Sequence, residues 1–181
     1  PELGEMIHAK RGFNIIATAN TRDRGVNEMS AALKRRFNFV NIPIVDDLEQ
    51  EIQIVLKRES ELRSDYSVGA QPPEELGKVL VTVFQELRKG ITKDGKMKIK
   101  SPNSVLSTAE AISVLFNGGI LAQSFGSGKV TGAEIARALV GAVAKESQED
   151  LKVLKEYCET VVKTRTGPWK EFYKAATEKL N

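Results

Sequence analysis

The sequence predicts a short α/β segment of two parallel core strands followed by a mostly α-helical domain. Three observations carry that reading. Residues 13–19 form an apolar run whose centre, Ile15-Ile16-Ala17, does not alternate, the pattern of a strand covered on both faces of a parallel sheet. A second apolar run opens at Phe37, continues to Val45 and is interrupted at Pro43. From Leu48 onward, apolar residues recur at helical spacing in segments separated by Gly, Pro and Asp-Gly breaks.

The first strand ends at Asn20, where apolar character stops. In open α/β sheets ligands sit at the carboxyl ends of the strands, so Asn20 either presents an amide to a ligand or only starts a turn. Arg22 and Arg24, in the charged loop that follows, either meet a nucleotide or a neighbouring subunit or are simply solvated. Residues 31–36, Ala-Ala-Leu-Lys-Arg-Arg, favour helix, with the cations at the end the helix dipole prefers. Arg35 and Arg36 are then either a solvated helix end or a phosphate-reading pair, since guanidinium matches phosphate oxygens in a bidentate fork.

The helical part follows. Asp46 or Asp47 caps a helix over about 48–63, with acids in its first turn. A loop over 64–73 closes in two prolines. The next helix buries Leu76, Val79, Leu80, Val83, Phe84 and Leu87 and ends at Gly90. Residues 91–100 alternate around Asp94-Gly95 as a small hairpin. Its lysines, Lys93, Lys96, Lys98 and Lys100, form a solvated face or meet an acidic partner or a phosphate backbone. Ser101 and Pro102 open a helix to about Phe116, and Gly118-Gly119 breaks it. Gly126-Ser127-Gly128-Lys129 imitates the end of a phosphate-binding loop, but Gln123 stands where the first Gly belongs and Val130 where Ser or Thr belongs; it reads as a turn. Thr131 and Glu134 have capping-box spacing before a helix to about 145. Helices over 149–164 and 169–180 complete the chain, the last carrying Trp169, Phe172, Tyr173, Ala176 and Leu180 on one face.

Composition bounds the function. The 181 residues are 41% hydrophobic and 28% charged with a net charge of +3, an ordinary globular balance without the basic stripe of a dedicated nucleic-acid binder. No apolar run approaches the roughly 18 residues of a membrane span, so no membrane partner is expected. Cys158 is the single cysteine; it excludes an internal disulfide framework, fits a reducing compartment and reads as a packing residue. One Cys and one His, His8 in the polar lead-in, do not make a zinc site. Residue 1 is Pro, and a buried strand follows a short polar lead-in. Two strands alone do not build a sheet, so the expectation is the C-terminal part of a larger protein.

Ile-Ile-Ala-Thr-Ala-Asn at 15–20, then Leu-Lys-Arg-Arg-Phe at 33–37, then the second apolar run, resembles the second half of a P-loop AAA+ ATPase core. The likeness is to the MoxR-like and dynein-related branches and is good over about residues 10–60. It implies that residues 1–67 are the C-terminal part of the α/β core and residues 68–181 a helical lid with extra terminal helices; the segments that hold phosphate and magnesium would precede this chain. It implies that Asn20 is sensor 1, which positions the attacking water, and that Arg36 is the arginine finger reaching a neighbouring subunit's nucleotide, with Arg35 the alternative if the register is off by one. In MoxR-like proteins a Ser-Pro-Arg carries the sensor 2 arginine; here Ser101-Pro102 is followed by Asn103, which hydrogen-bonds but carries no charge for phosphate. Lys100 is the nearest cation.

The resemblance further implies ATP and Mg²⁺ in the intact protein, none bound by this fragment alone, a ring-shaped homo-oligomer, a protein partner that is remodelled or matured, and a cytoplasmic setting. On that reading the isolated chain has no ATPase activity. A non-catalytic interaction module derived from an AAA+ protein is the competing reading, favoured by Asn103. A helicase or clamp-loader relative is a third, disfavoured because Lys and Glu alternate in the terminal helices where a basic stripe would be needed.

Overall fold

A computed structural model describes residues 8–18, 30–104, 106–144 and 147–180. The chain divides into two compact units, Pro1–Ile42 and Pro43–Asn181.

In the first unit the one helix among the described residues is α1 (Ala31–Lys34). Ser30 caps it, its hydroxyl accepting from the Leu33 amide at 3.2 Å. The pair of parallel strands expected at 13–19 and 37–45 is not formed among the described residues, which contain only an isolated bridge further on. A strand's amides and carbonyls need a neighbouring backbone, and no described residue supplies one to either run. Phe13, Ile15, Ile16, Phe39, Val40 and Ile42 are accordingly exposed.

The described residues of the second unit are mainly helical. It comprises α2 (Leu48–Asp65), α3 (Glu74–Lys89), α4 (Thr108–Phe125), α5 (Gly132–Ala144), α6 (Gln148–Thr160), a 3₁₀ turn (Val162–Thr164) and α7 (Pro168–Leu180). Asp47 caps α2, its carboxylate accepting from the Gln50 amide at 2.7 Å. Helix α3 is the axis of the bundle: it packs on α2, α4, α5 and α7 and buries its whole length from Leu76 to Leu87 apart from Lys78. Each fully buried Leu or Phe there stabilises by about 1.5–3 kcal/mol. Gly90, at φ 68°, closes α3 in the left-handed conformation that glycine adopts without strain. The hairpin follows as expected, with Ile91 bridged antiparallel to Lys98.

Helix α2 packs within the second unit, which begins at Pro43; Ile52 and Val55 are buried against α3 and α4.

Helix α4 departs from the sequence reading at both ends. It starts at Thr108, where Ser107 and Glu110 form a reciprocal capping box, not at Pro102. It also runs unbroken through Gly118-Gly119 to Phe125. These glycines are there for close approach: a Cβ on Gly118 would lie 2.5 Å from Cδ1 of Ile135 on α5, and one on Gly119 2.9 Å from the Ala70 carbonyl. Helix α6 ends at Thr160, earlier than the 149–164 helix expected, and the chain tightens into the 3₁₀ turn. The Gly126–Lys129 stretch is a turn, with Gly128 N donating to the Ala122 carbonyl at 2.9 Å. No helix among the described residues is long and apolar enough to cross a membrane.

Candidate functional site

Of the residues singled out by sequence, Asn20 lies outside the described residues, as do Arg22 and Arg24. Arg35 and Arg36 lie just past α1. The Arg35 amide donates to the Ala31 carbonyl at 3.2 Å and the Arg36 amide to the Leu33 carbonyl at 3.0 Å, so both backbones finish the helical turn. Both side chains are exposed, the condition for a guanidinium that reaches a ligand outside its own unit.

Asn103 belongs to the helical unit and sits on the loop before α4, not on a helix N-terminus. Its amide donates to Asp150 Oδ1 at 2.7 Å, and the Ser104 amide to Asp150 Oδ2 at 3.1 Å. Asp150, only 2% exposed in the first turn of α6, therefore anchors this loop while the Asn103 side chain stays exposed. Lys100, the nearest cation, is bound to Glu156 at 2.8 Å, a bond that raises its pKa. Of the other hairpin lysines, Lys96 faces Asp94 at 3.8 Å.

Sequence reasoning missed two buried polar clusters. The first joins α2 to α3. Glu51 has no exposed surface. Arg88 grips its carboxylate in a fork, Nη2 to Oε2 at 2.6 Å and Nη1 to Oε1 at 3.2 Å. Gln85 Nε2 and Thr108 Oγ1 each donate to the same carboxylate at 2.7 Å. Arg88 also donates to the carbonyls of Leu106 at 3.0 Å and Val45 at 3.4 Å. Gln85 Nε2 reaches the Asp46 carbonyl at 3.4 Å and Lys89 Nζ the same oxygen at 3.0 Å. Lys89 pairs with the Asp46 carboxylate at 2.8 Å, and that bond lowers the Asp46 pKa.

The second cluster ties α3 to the C-terminal helices. Glu86, 2% exposed, accepts from the Tyr157 hydroxyl at 2.5 Å, Arg165 Nη2 at 2.5 Å and the Lys93 amide at 2.7 Å. Burial, and then the Glu86 charge, push the Tyr157 phenol well above its ordinary range. The Arg165 guanidinium lies 4.3 Å from the centre of the Trp169 ring, a cation–π contact. A groove of about 600 Å³ beside it is lined by Glu75, Lys78, Lys93, Asp94, Arg165 and Trp169; it includes the hairpin's Lys93 but not Arg35, Arg36 or Asn103. The signal for both clusters was present: Glu51 and Glu86 occupy positions in step with the apolar stripes of α2 and α3, where an exposed acid would not fall.

Comparison with known proteins decides the family. The model for the YehL-like AAA+ ATPase C-terminal domain matches residues 49–179. The chain belongs to that family. The model for the AAA domain of the dynein-related subfamily matches residues 1–37, which include Asn20, Arg35 and Arg36. The uncharacterized protein YehL of Escherichia coli (strain K12) is 37% identical over 179 residues, 97% of this chain and 49% of its own length. The uncharacterized protein SSP1341 of Staphylococcus saprophyticus is 34% identical over 68 residues, 38% of this chain and 25% of its own length. The chain thus spans about half of YehL and about a quarter of the staphylococcal relative. No solved structure matches.

Proposed function

We propose that this chain is the C-terminal part of an AAA+ ATP hydrolase of the MoxR-like type that remodels or matures a protein partner, with hydrolysis across subunit interfaces of a cytoplasmic ring. The observation that carries this reading is the order of two family matches along one chain, a dynein-related AAA segment over residues 1–37 and an AAA+ C-terminal domain over 49–179. In this reading residues 13–19 and 37–45 are strands completed by the rest of the core, which is why their side chains are apolar on both faces. Asn20 orients the attacking water within its own subunit. Arg36 supplies transition-state charge to the neighbour's γ-phosphate, Arg35 being the alternative, and ATP with Mg²⁺ is bound by segments outside this chain.

One observation favours a second reading, a non-catalytic interaction module. Asn103 brings no charge, and Lys100 is committed to Glu156, so neither residue is a ready sensor 2.

Arg36→Ala in the full-length protein separates them. We expect hydrolysis to fall about 10³–10⁵-fold with ATP binding retained, while the 181-residue chain alone turns over no ATP. Equal loss of binding and hydrolysis sinks the trans role of Arg36. A full-length protein that neither binds nor hydrolyses ATP supports the module.

A further inference from the structure

We propose that Arg88 is a positioning residue of the hydrolytic cycle: with Gln85 and Lys89 it locks the linker 43–47 onto helix α3, so that the linker moves with the helical unit instead of swinging freely. The proposal rests on the reading of Arg36 given above, because this linker is the stretch that follows the arginine-bearing segment.

The geometry is specific. Residues 85, 88 and 89 share one face of α3 by their spacing, and all three donate to linker carbonyls, Arg88 to Val45 and Gln85 and Lys89 to Asp46. Connecting segments ordinarily leave such carbonyls to water. Here the Arg88 side chain is only 13% exposed and is aimed by Glu51, which is fully buried. A buried ion pair is weak evidence for stability, because desolvation opposes it; its best-attested use is to fix one arrangement over others. Every further partner of the pair fits that role. Arg88 also holds the Leu106 carbonyl, and Thr108 holds Glu51. The loop that carries Asn103 and the linker are therefore tied to one guanidinium, and neither shifts without breaking bonds to it.

The test uses the full-length protein. Glu51→Gln combined with Arg88→Met removes both charges, leaves an amide for Gln85 and Thr108, and keeps the aliphatic stem that packs beside them. Ile44→Cys and Lys129→Cys carry nitroxide labels for a distance measurement; Cys158 is buried and does not compete for label. We expect a narrow distance distribution in the parent and a broad one in the double variant. We also expect kcat to fall about 10- to 100-fold, with ATP affinity and the cooperative thermal transition retained. Arg88→Lys, a point charge without the fork, falls between. A distribution that stays narrow overturns the lock, and unchanged kcat overturns the positioning role. Parallel loss of kcat, affinity and cooperative melting assigns the cluster to stability alone and also overturns it. A parent protein that does not hydrolyse ATP overturns the functional reading, and the distance result identifies that failure separately from failure of the lock.

Discussion

The run around Ile16 and helix α3 are both strongly apolar, and they meet opposite surroundings. Ile16 is 93% exposed and Val40 85%, whereas Leu80, Val83 and Phe84 have no exposed surface. The same split appears in these charges: Arg36 is exposed while Glu51 and Glu86 are buried. The contrast teaches that hydrophobicity alone does not place a residue inside. A helix closes its backbone bonds within itself, so an amphipathic helix needs only something to pack on, and α2, α4, α5 and α7 provide it. A strand must borrow its bonds from neighbours, and the runs at 13–18 and 37–45 have none among the described residues.

The sharpest way to break this comparison is to strip the buried charge. Glu51→Ala in the 181-residue chain leaves Arg88 buried without its carboxylate. We expect a loss of about 3–5 kcal/mol, read from urea unfolding followed by helical circular dichroism. A loss within the range of a surface pair, below about 1 kcal/mol, would mean that water reaches this cluster.

The apolar side of the comparison comes next. Leu80→Ala should cost about 2–5 kcal/mol in the same assay, and Ile16→Ala no more than about 0.5. The sharpening lies in the second context. If residues 13–19 form a covered strand in the full-length protein, Ile16→Ala there should cost about 2–5 kcal/mol. An equal, small effect in both contexts would leave the first unit's apolar runs without a partner and the proposed core without its strand.

What could be read from sequence followed the same division. The apolar face of α3, its Gly90 stop, an Asp cap on α2 (Asp46 or Asp47) and the Thr131–Glu134 bond were all legible, because each is decided by residues within a turn or two; the Thr131 amide does donate to Glu134 at 2.9 Å. The course of α4 was not. Ser101-Pro102 has a good local start signal, but Asp150, far along the chain, takes the amides of Asn103 and Ser104 instead. Gly118-Gly119 is a good local break, but Ile135 of α5 packs too close to Gly118, and the Ala70 carbonyl too close to Gly119, for larger residues. Glu51 and Arg88 stand 37 residues apart, so no spacing rule joins them. At the candidate site, local chemistry left Arg36 open between a solvated helix end and a phosphate reader. Only the resemblance over 15–37 separated the two, and the exposure of Arg36 is compatible with both.

One expected effect is absent at neutral pH and grows in alkali. Cys158 has no exposed surface, and burial pushes its thiol from an ordinary 9.0 up to about 12; Tyr157 beside it is raised in the same sense by burial and Glu86. A raised folded-state pKa means that the fold holds the proton more tightly than the unfolded chain. The contribution is therefore fully present below pH 9 and is lost as pH rises toward 12. From the thiol alone the slope is at most about 1.4 kcal/mol per pH unit over that window. The first unit carries no such buried thiol to blur the reading, since Cys158 is the chain's single cysteine. Urea midpoints measured from pH 7 to pH 11 should be flat and then fall, and Cys158→Ala should make the fall shallower. In the parent chain, iodoacetamide at pH 8 should leave Cys158 unmodified until urea opens the bundle, because only the thiolate reacts. Rapid modification of the folded chain, or an alkaline slope untouched by Cys158→Ala, would show that the core around Cys158 admits water, and the strict contrast between a sealed helical unit and an exposed first-unit run would fail there.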